Sequence, residues 1–275
     1  AIRGNYLEVH AQPILDPIAP PAMRCYEILA RMRDRDGSLI KPPEFLPLAV
    51  QAQMTVELDR TVIAKVFAWF SVNPDALAST YKCSINLSGL TMGDASIAEF
   101  IRTQRTQFAI PASKIVFEIT ESEAIRNPAA ASRLVAELKA AGFGIALDDF
   151  GTGLATFEYL KRFPLDYLKI DGSFIRDLVD NPFDQEIVLS TVRLAQHLGV
   201  TIIAEHVHSR DVYERLIKLG VQHVQGELIG VAMPIEHLFR QPAPKAPKPI
   251  SADGPNLPHS FTVTHAVRKS PREAA

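Results

Sequence analysis

From Asn5 to Phe239 one unit recurs: a short apolar run that ends on a polar residue, then a segment with helical spacing. The runs are LEVHAQPIL (7–15), RCYEILARM (24–32), YKCSINLS (81–88), KIVFEITES (114–122), GIALDDFG (144–151), DYLKIDGSF (166–174), TIIAEHVH (201–208) and HVQGELIG (223–230). This alternation restricts the fold more than any other feature, because strands joined by helical crossovers lie parallel in one sheet. Eight of them within residues 5–239 match a closed (β/α)8, TIM-like barrel in number and size. The first connection breaks the rule. Only DPIAPPAM separates the first two runs, which is too short for a crossover helix. The first strand is therefore expected to be antiparallel, in an α/β barrel irregular at its start.

The helical segments carry their own end signals. Asn127-Pro128 opens one that closes on Gly142, Asn181-Pro182 opens one that closes on Gly199, and Ser209 opens one that closes on Gly220. Pro43 to Phe70 reads as two helices. Beyond the last unit the composition changes. Gln241–Ala275 is rich in proline and poor in large apolar residues, so residues 1–240 are expected to form the barrel domain and 241–275 a disordered tail. A formal net charge of -2 provides no broad basic field, which argues against polymeric nucleic acid as a partner. Cys25 and Cys83 have no metal-type spacing and read as reduced core thiols of a cytoplasmic domain. No apolar run is long enough to cross a bilayer, and no signal-peptide pattern is present. The first residues, AIRGNY, read as the middle of a longer protein, with an upstream sensory or regulatory domain or a membrane attachment expected beyond them.

The chemistry is expected at the strand ends, because the C-terminal ends of parallel barrel strands meet at one face. Those ends carry Glu27, Asn86, Glu118 with Glu121, Asp148 with Asp149, Lys169 with Asp171, Glu205 and Gln225. Each is costly to bury alone in an apolar strand. Gathered at one mouth, the carboxylates repel one another unless cations neutralise them. Oxygen ligands with one amide suit Mg²⁺ or Mn²⁺ rather than Zn²⁺. Adjacent Asp148 and Asp149 can serve two ions, one bridging both and the other holding only the second, as in two-metal phosphoryl transfer. Taken singly, several of these features have plain readings: Asp-Asp as a solvated turn, Glu27 as a rim charge, Lys169 as the partner of Asp171. The coincidence over many strands favours a site.

In order, QPI, YEILAR, INLS, FEITES, DDFGTG, LKIDGSF, IIAE, QGELIG and MP resemble the EAL-domain phosphodiesterases of bacterial cyclic di-GMP signalling over all of residues 5–239. The resemblance implies a (β/α)8 barrel with an antiparallel first strand. It implies two divalent cations, Mg²⁺ or Mn²⁺, with Ca²⁺ binding and inhibiting. Glu27, Asn86, Glu118 and Asp148 would hold the first ion, Asp148 and Asp149 the second with Glu205 beside it. Lys169 would contact the attacking water or scissile phosphate, Gln225 would position a water or ligand, and Glu121 would hold the loop after Asp149. Arg31 would meet ligand phosphate, and Gln12, Leu29 and Pro234 would shape the nucleotide groove. The reaction would open cyclic di-GMP to linear 5′-pGpG.

The chain departs from the pattern in four places, the first being Ile28 where Ala is usual. The usual AEGVE reads Ala204-Glu205-His206-Val207-His208, with the two histidines expected on one side of an extended segment. Leu154, Ala155 and Thr156 replace a Tyr and two Ser, and Glu227 stands where an aromatic is common. These departures keep a second reading open, a catalytically weak or inactive receptor for the same dinucleotide. A third is a barrel enzyme using Lys169 as a base beside Mg²⁺. Phe157, Tyr159, Leu160 and Phe163 read as a homodimer surface by resemblance.

Overall fold

The computed structural model describes residues 6–17, 19–20, 22–34, 36–152, 163–221 and 223–247. Strands β1 (Leu7–Leu15), β2 (Arg24–Arg33), β4 (Thr80–Asn86), β5 (Ile115–Thr120), β6 (Gly144–Phe150), β7 (Tyr167–Ile170), β8 (Thr201–Ala204) and β9 (His223–Gln225) hydrogen-bond in a ring. From β2 to β9 neighbours are parallel. β1 closes the barrel antiparallel to both β2 and β9, with Leu7 opposite Met32 and Ile14 opposite Gln225. The short first connection thus forms the hairpin expected of it. Two short strands, β3 (Leu39–Ile40) and β10 (Met233–Pro234), extend β2 and β1 at the rim.

Helices cover the barrel where the sequence signals place them. Pro42–Gln51 and Thr55–Val72 are the two expected between Pro43 and Phe70. Pro128–Ala140, Pro182–Leu198 and Arg210–Leu219 begin at Asn127, Asn181 and Ser209, whose side chains accept hydrogen bonds from the first-turn N–H groups of Ala130, Phe183 and Val212. Gly199 and Gly220 then end their helices in the left-handed conformation. One apolar core joins the inner barrel to these helices. Phe67, Phe70, Phe117 and Phe143 are fully buried, with Phe117 and Phe143 edge to face at 5.2 Å.

Most strands are shorter than their apolar runs. Thr120 and Asp171 stop β5 and β7 by capping the next turns, accepting from the N–H groups of Glu123 and Ser173. β8 stops at Ala204 and β9 at Gln225. Glu27, Asn86, Glu118, Asp148, Lys169 and Gln225 remain within the strands, whereas Glu121 opens the helix Glu121–Arg126 and Asp171 and Glu205 follow the last strand residues.

Cys25 and Cys83 are buried free thiols. At the end opposite the mouth, Arg24 lies over the Phe239 ring at 5.3 Å and bonds the carbonyl of Gln241. Among the described residues no helix is long and apolar enough to cross a membrane. Leu154 to Leu160, with most of the expected dimer surface, and residues 248–275 of the tail lie outside the described residues; Phe163 is buried.

Candidate active site and its family

Lys169 leaves β7 pointing into the barrel and is 0 % exposed. Its ammonium meets four carboxylates from four other segments: Glu118 at 2.7 Å, Glu205 at 2.8 Å, Asp148 at 3.2 Å and Glu27 at 3.3 Å. The plain reading of Lys169 as partner to Asp171 does not hold, since Asp171 is occupied as a turn cap. Two amides complete the ring. Asn86 donates to Glu27 Oε1 at 2.6 Å, and Gln225 donates to Glu27 Oε2 at 2.7 Å and to Gln12 Oε1 at 3.2 Å. Gln12 in turn donates to the Gly230 carbonyl, tying β1 to the turn after β9.

Burial governs the electrostatics. It pushes Glu118 up to about 8, with Lys169 opposing and Glu27 and Asp148 adding to the rise. Asp148 and Glu205 are also raised by burial, with Lys169 opposing. For Glu27, burial is outweighed by Lys169 and the two amides, so its carboxyl sits low. Burial disfavours the Lys169 ammonium, but the surrounding carboxylates hold it well above its usual range. A lysine so held is a poor base, which counts against proton abstraction by Lys169.

Asp149 stands outside this inner ring. Its φ is +56°, in the left-handed region, and the β6–β7 register shifts at this point. The Asp149 N–H donates back to Asp148 Oδ1 at 2.9 Å. Burial and the nearby Asp148 push Asp149 up to about 6. Oxygens of Glu27, Glu118 and Asp148 lie within 4.8 Å of one another, as do oxygens of Asp148, Asp149 and Glu205. Two cation-sized carboxylate groups thus share Asp148. Glu118 Oε1 is buried with no hydrogen-bond partner, which is the state of a ligand oxygen directed at something other than a protein donor. Glu121 accepts the Gly151 N–H at 2.8 Å.

A cleft of about 980 Å³ opens over Glu27, Glu205 and Gln225. Gln12, Leu29 and Arg31 line it as well, whereas Pro234 sits at the rim in β10 opposite His10. Sequence reasoning missed Lys41 and Arg176, two basic side chains that also line the cleft. A lone lysine in SLIKPPEF and an arginine two residues past DGSF carry no signal of that position. His206 and His208 do line the cleft, but the segment is not extended: His206 has φ +53° and so turns the chain after Glu205.

With this geometry the comparisons become specific. The family model described as "EAL domain" matches residues 1–232. The chain belongs to the EAL family. Among curated relatives, the EAL chain is 36% identical over 241 residues to the cyclic di-GMP phosphodiesterase PdeB of Shewanella oneidensis, covering 88% of this chain and 28% of PdeB. It is 35% identical over 238 residues to the cyclic di-GMP phosphodiesterase PdeF of Escherichia coli, covering 86% of this chain and 31% of PdeF. The chain therefore spans less than a third of these relatives. Among solved structures it matches the PaMucR phosphodiesterase in complex with c-di-GMP, with a TM-score of 0.78 at 34% identity, covering 85% of this chain and 94% of that one. It also matches the FimX EAL domain of Pseudomonas aeruginosa bound to c-di-GMP, with a TM-score of 0.79 at 25% identity, covering 85% and 93%.

Proposed function

We propose that this EAL domain hydrolyses cyclic di-GMP to linear 5′-pGpG with two divalent cations, Mg²⁺ or Mn²⁺. The observation that carries the reading is the ring of carboxylates around Lys169 beneath a cleft of nucleotide size. Five carboxylates against one ammonium leave a deficit of four positive charges, the charge of two divalent ions. The unpartnered Glu118 oxygen and the two groups sharing Asp148 suit the same pair. Glu27, Asn86, Glu118 and Asp148 would hold one ion, and Asp148 and Asp149 the other, with Glu205 beside it. Bound there, such ions polarise a phosphoryl oxygen and acidify a coordinated water.

The chain's own residues do the rest. Lys169 stays an ammonium and offers its protons to charge that develops on the phosphate or the attacking oxygen. Gln225, held by Gln12 and Glu27, orients a water or ligand oxygen. Glu121 fixes the turn at Gly151 and with it the direction of Asp149. Arg31 meets ligand phosphate, and Gln12, Leu29 and Pro234 shape the groove. Ca²⁺ is expected to bind the same ligands and inhibit. We also propose residues 1–240 as the domain, 241–275 as a tail, a homodimer in solution, and cytoplasmic attachment to an upstream sensory domain.

Incubating the purified chain with cyclic di-GMP and Mg²⁺ or Mn²⁺ should yield pGpG, and chelation should abolish it. Lys169→Met should lower turnover by at least about 100-fold. His208, at a position where the resemblance leads one to expect Glu, favours a second reading. Tight binding without any pGpG under both metals would establish a receptor rather than an enzyme.

A further inference from the structure

His206 is the residue in the cleft with the least ordinary backbone. Its φ of +53° is a conformation that suits glycine and costs a side-chain-bearing residue free energy. The turn could be made by glycine without that cost. The imidazole is nonetheless present, and it has a specific seat. A Cβ built on Gly172 would lie 2.3 Å from His206 Cδ2 and 2.6 Å from Cγ, so the imidazole abuts a backbone that only glycine leaves open. The loop bearing it is fixed on both flanks. The Glu205 N–H bonds the Ile170 carbonyl at 3.3 Å, and the Val207 N–H bonds the Gln225 carbonyl at 3.0 Å. Gly226, with φ +155°, admits Val207 in turn, since a Cβ there would stand 2.3 Å from both Val207 N and O. His206 is exposed overall and lines the same cleft as Glu205 and Arg176.

An aromatic ring backed by glycine on one side and open to a nucleotide-sized cleft is a surface on which a planar base can stack. We propose that His206 is a base-stacking platform for one purine of the ligand, seated by Gly172 and held there at the expense of backbone strain. The inference rests on the cyclic dinucleotide reading and adds to it a contact peculiar to this chain. Stacking is indifferent to hydrogen-bond pattern, so the platform contributes affinity for purines generally rather than guanine specificity.

The test is equilibrium binding of cyclic di-GMP in Ca²⁺, kinetics in Mg²⁺ and thermal melting of each variant. His206→Gly removes ring and strain together, so it should raise the melting temperature while weakening binding roughly 5- to 50-fold. His206→Asn tolerates the left-handed backbone but lacks the ring, and should weaken binding to the same extent. Both should raise KM and leave kcat within about two-fold. Gly172→Ala should weaken binding in the parent and add nothing to His206→Gly, because the three atoms nearest the added methyl all belong to the His206 side chain. If His206→Gly and His206→Asn bind as the parent does, the platform is refuted while the hydrolase reading stands. If the unaltered chain does not bind cyclic di-GMP, both fall together.

Discussion

Lys169 is the residue on which the site turns. A fully buried ammonium with four carboxylate neighbours neutralises part of a cluster that cannot otherwise remain ionised. Lys169→Met should therefore destabilise the chelated protein by about 3–5 kcal/mol near neutral pH, read by denaturant unfolding. Acidification should recover part of that loss as carboxyls take up protons. The parent has its own pH dependence. Glu118 and Asp149 are raised in the fold, to about 8 and about 6, above their unfolded values near 4. A raised carboxyl contributes stability that is fully present below the unfolded value and is lost as pH rises through the folded one. The chelated chain should thus melt lower at about pH 9 than at about pH 5, and Mg²⁺ should restore more stability at the higher pH. A flat melting profile under chelation would contradict these environments. The carboxylates were legible in the sequence because a charge ending an apolar strand is conspicuous. That Lys169 is their common partner was not legible, because it lies 142 residues from Glu27 in the chain and nothing in the spacing pairs the two.

Helix starts and stops were legible in the elements, since Asn, Ser, Pro and Gly act within a turn of where they stand. Asn181 and Gly199 bracket Pro182–Leu198 as expected. Asn181→Ala should cost about 1 kcal/mol of stability with catalysis unchanged, a loss confined to capping. Strand ends were less legible. An apolar run continues past the last ladder bond, and its final residues leave the sheet, as at Glu121, Asp171 and Glu205. Gly226 shows why such turns resist prediction. It must be glycine because a β-carbon there would stand 2.3 Å from the backbone N and O of Val207, in another strand's loop. Gly226→Ala should destabilise by about 2–3 kcal/mol or prevent folding, measurable as soluble yield and melting temperature.

The whole molecule follows from the count of strand–helix units and from one short connection. Both were visible in the sequence because topology depends on spacing rather than on particular contacts. The cleft was not visible in full, since Lys41 and Arg176 reach it only through long-range packing. The reversed direction of β1 has a further consequence. Leu7 sits beside Met32 near the open end of the cylinder, whereas Gln241 is bonded to Arg24 at the far end. Any module fused ahead of Leu7 is delivered to the mouth of the cleft, where a small tilt can obstruct entry. A module joined directly after Gln241 is delivered to the base, at the far end from the cleft.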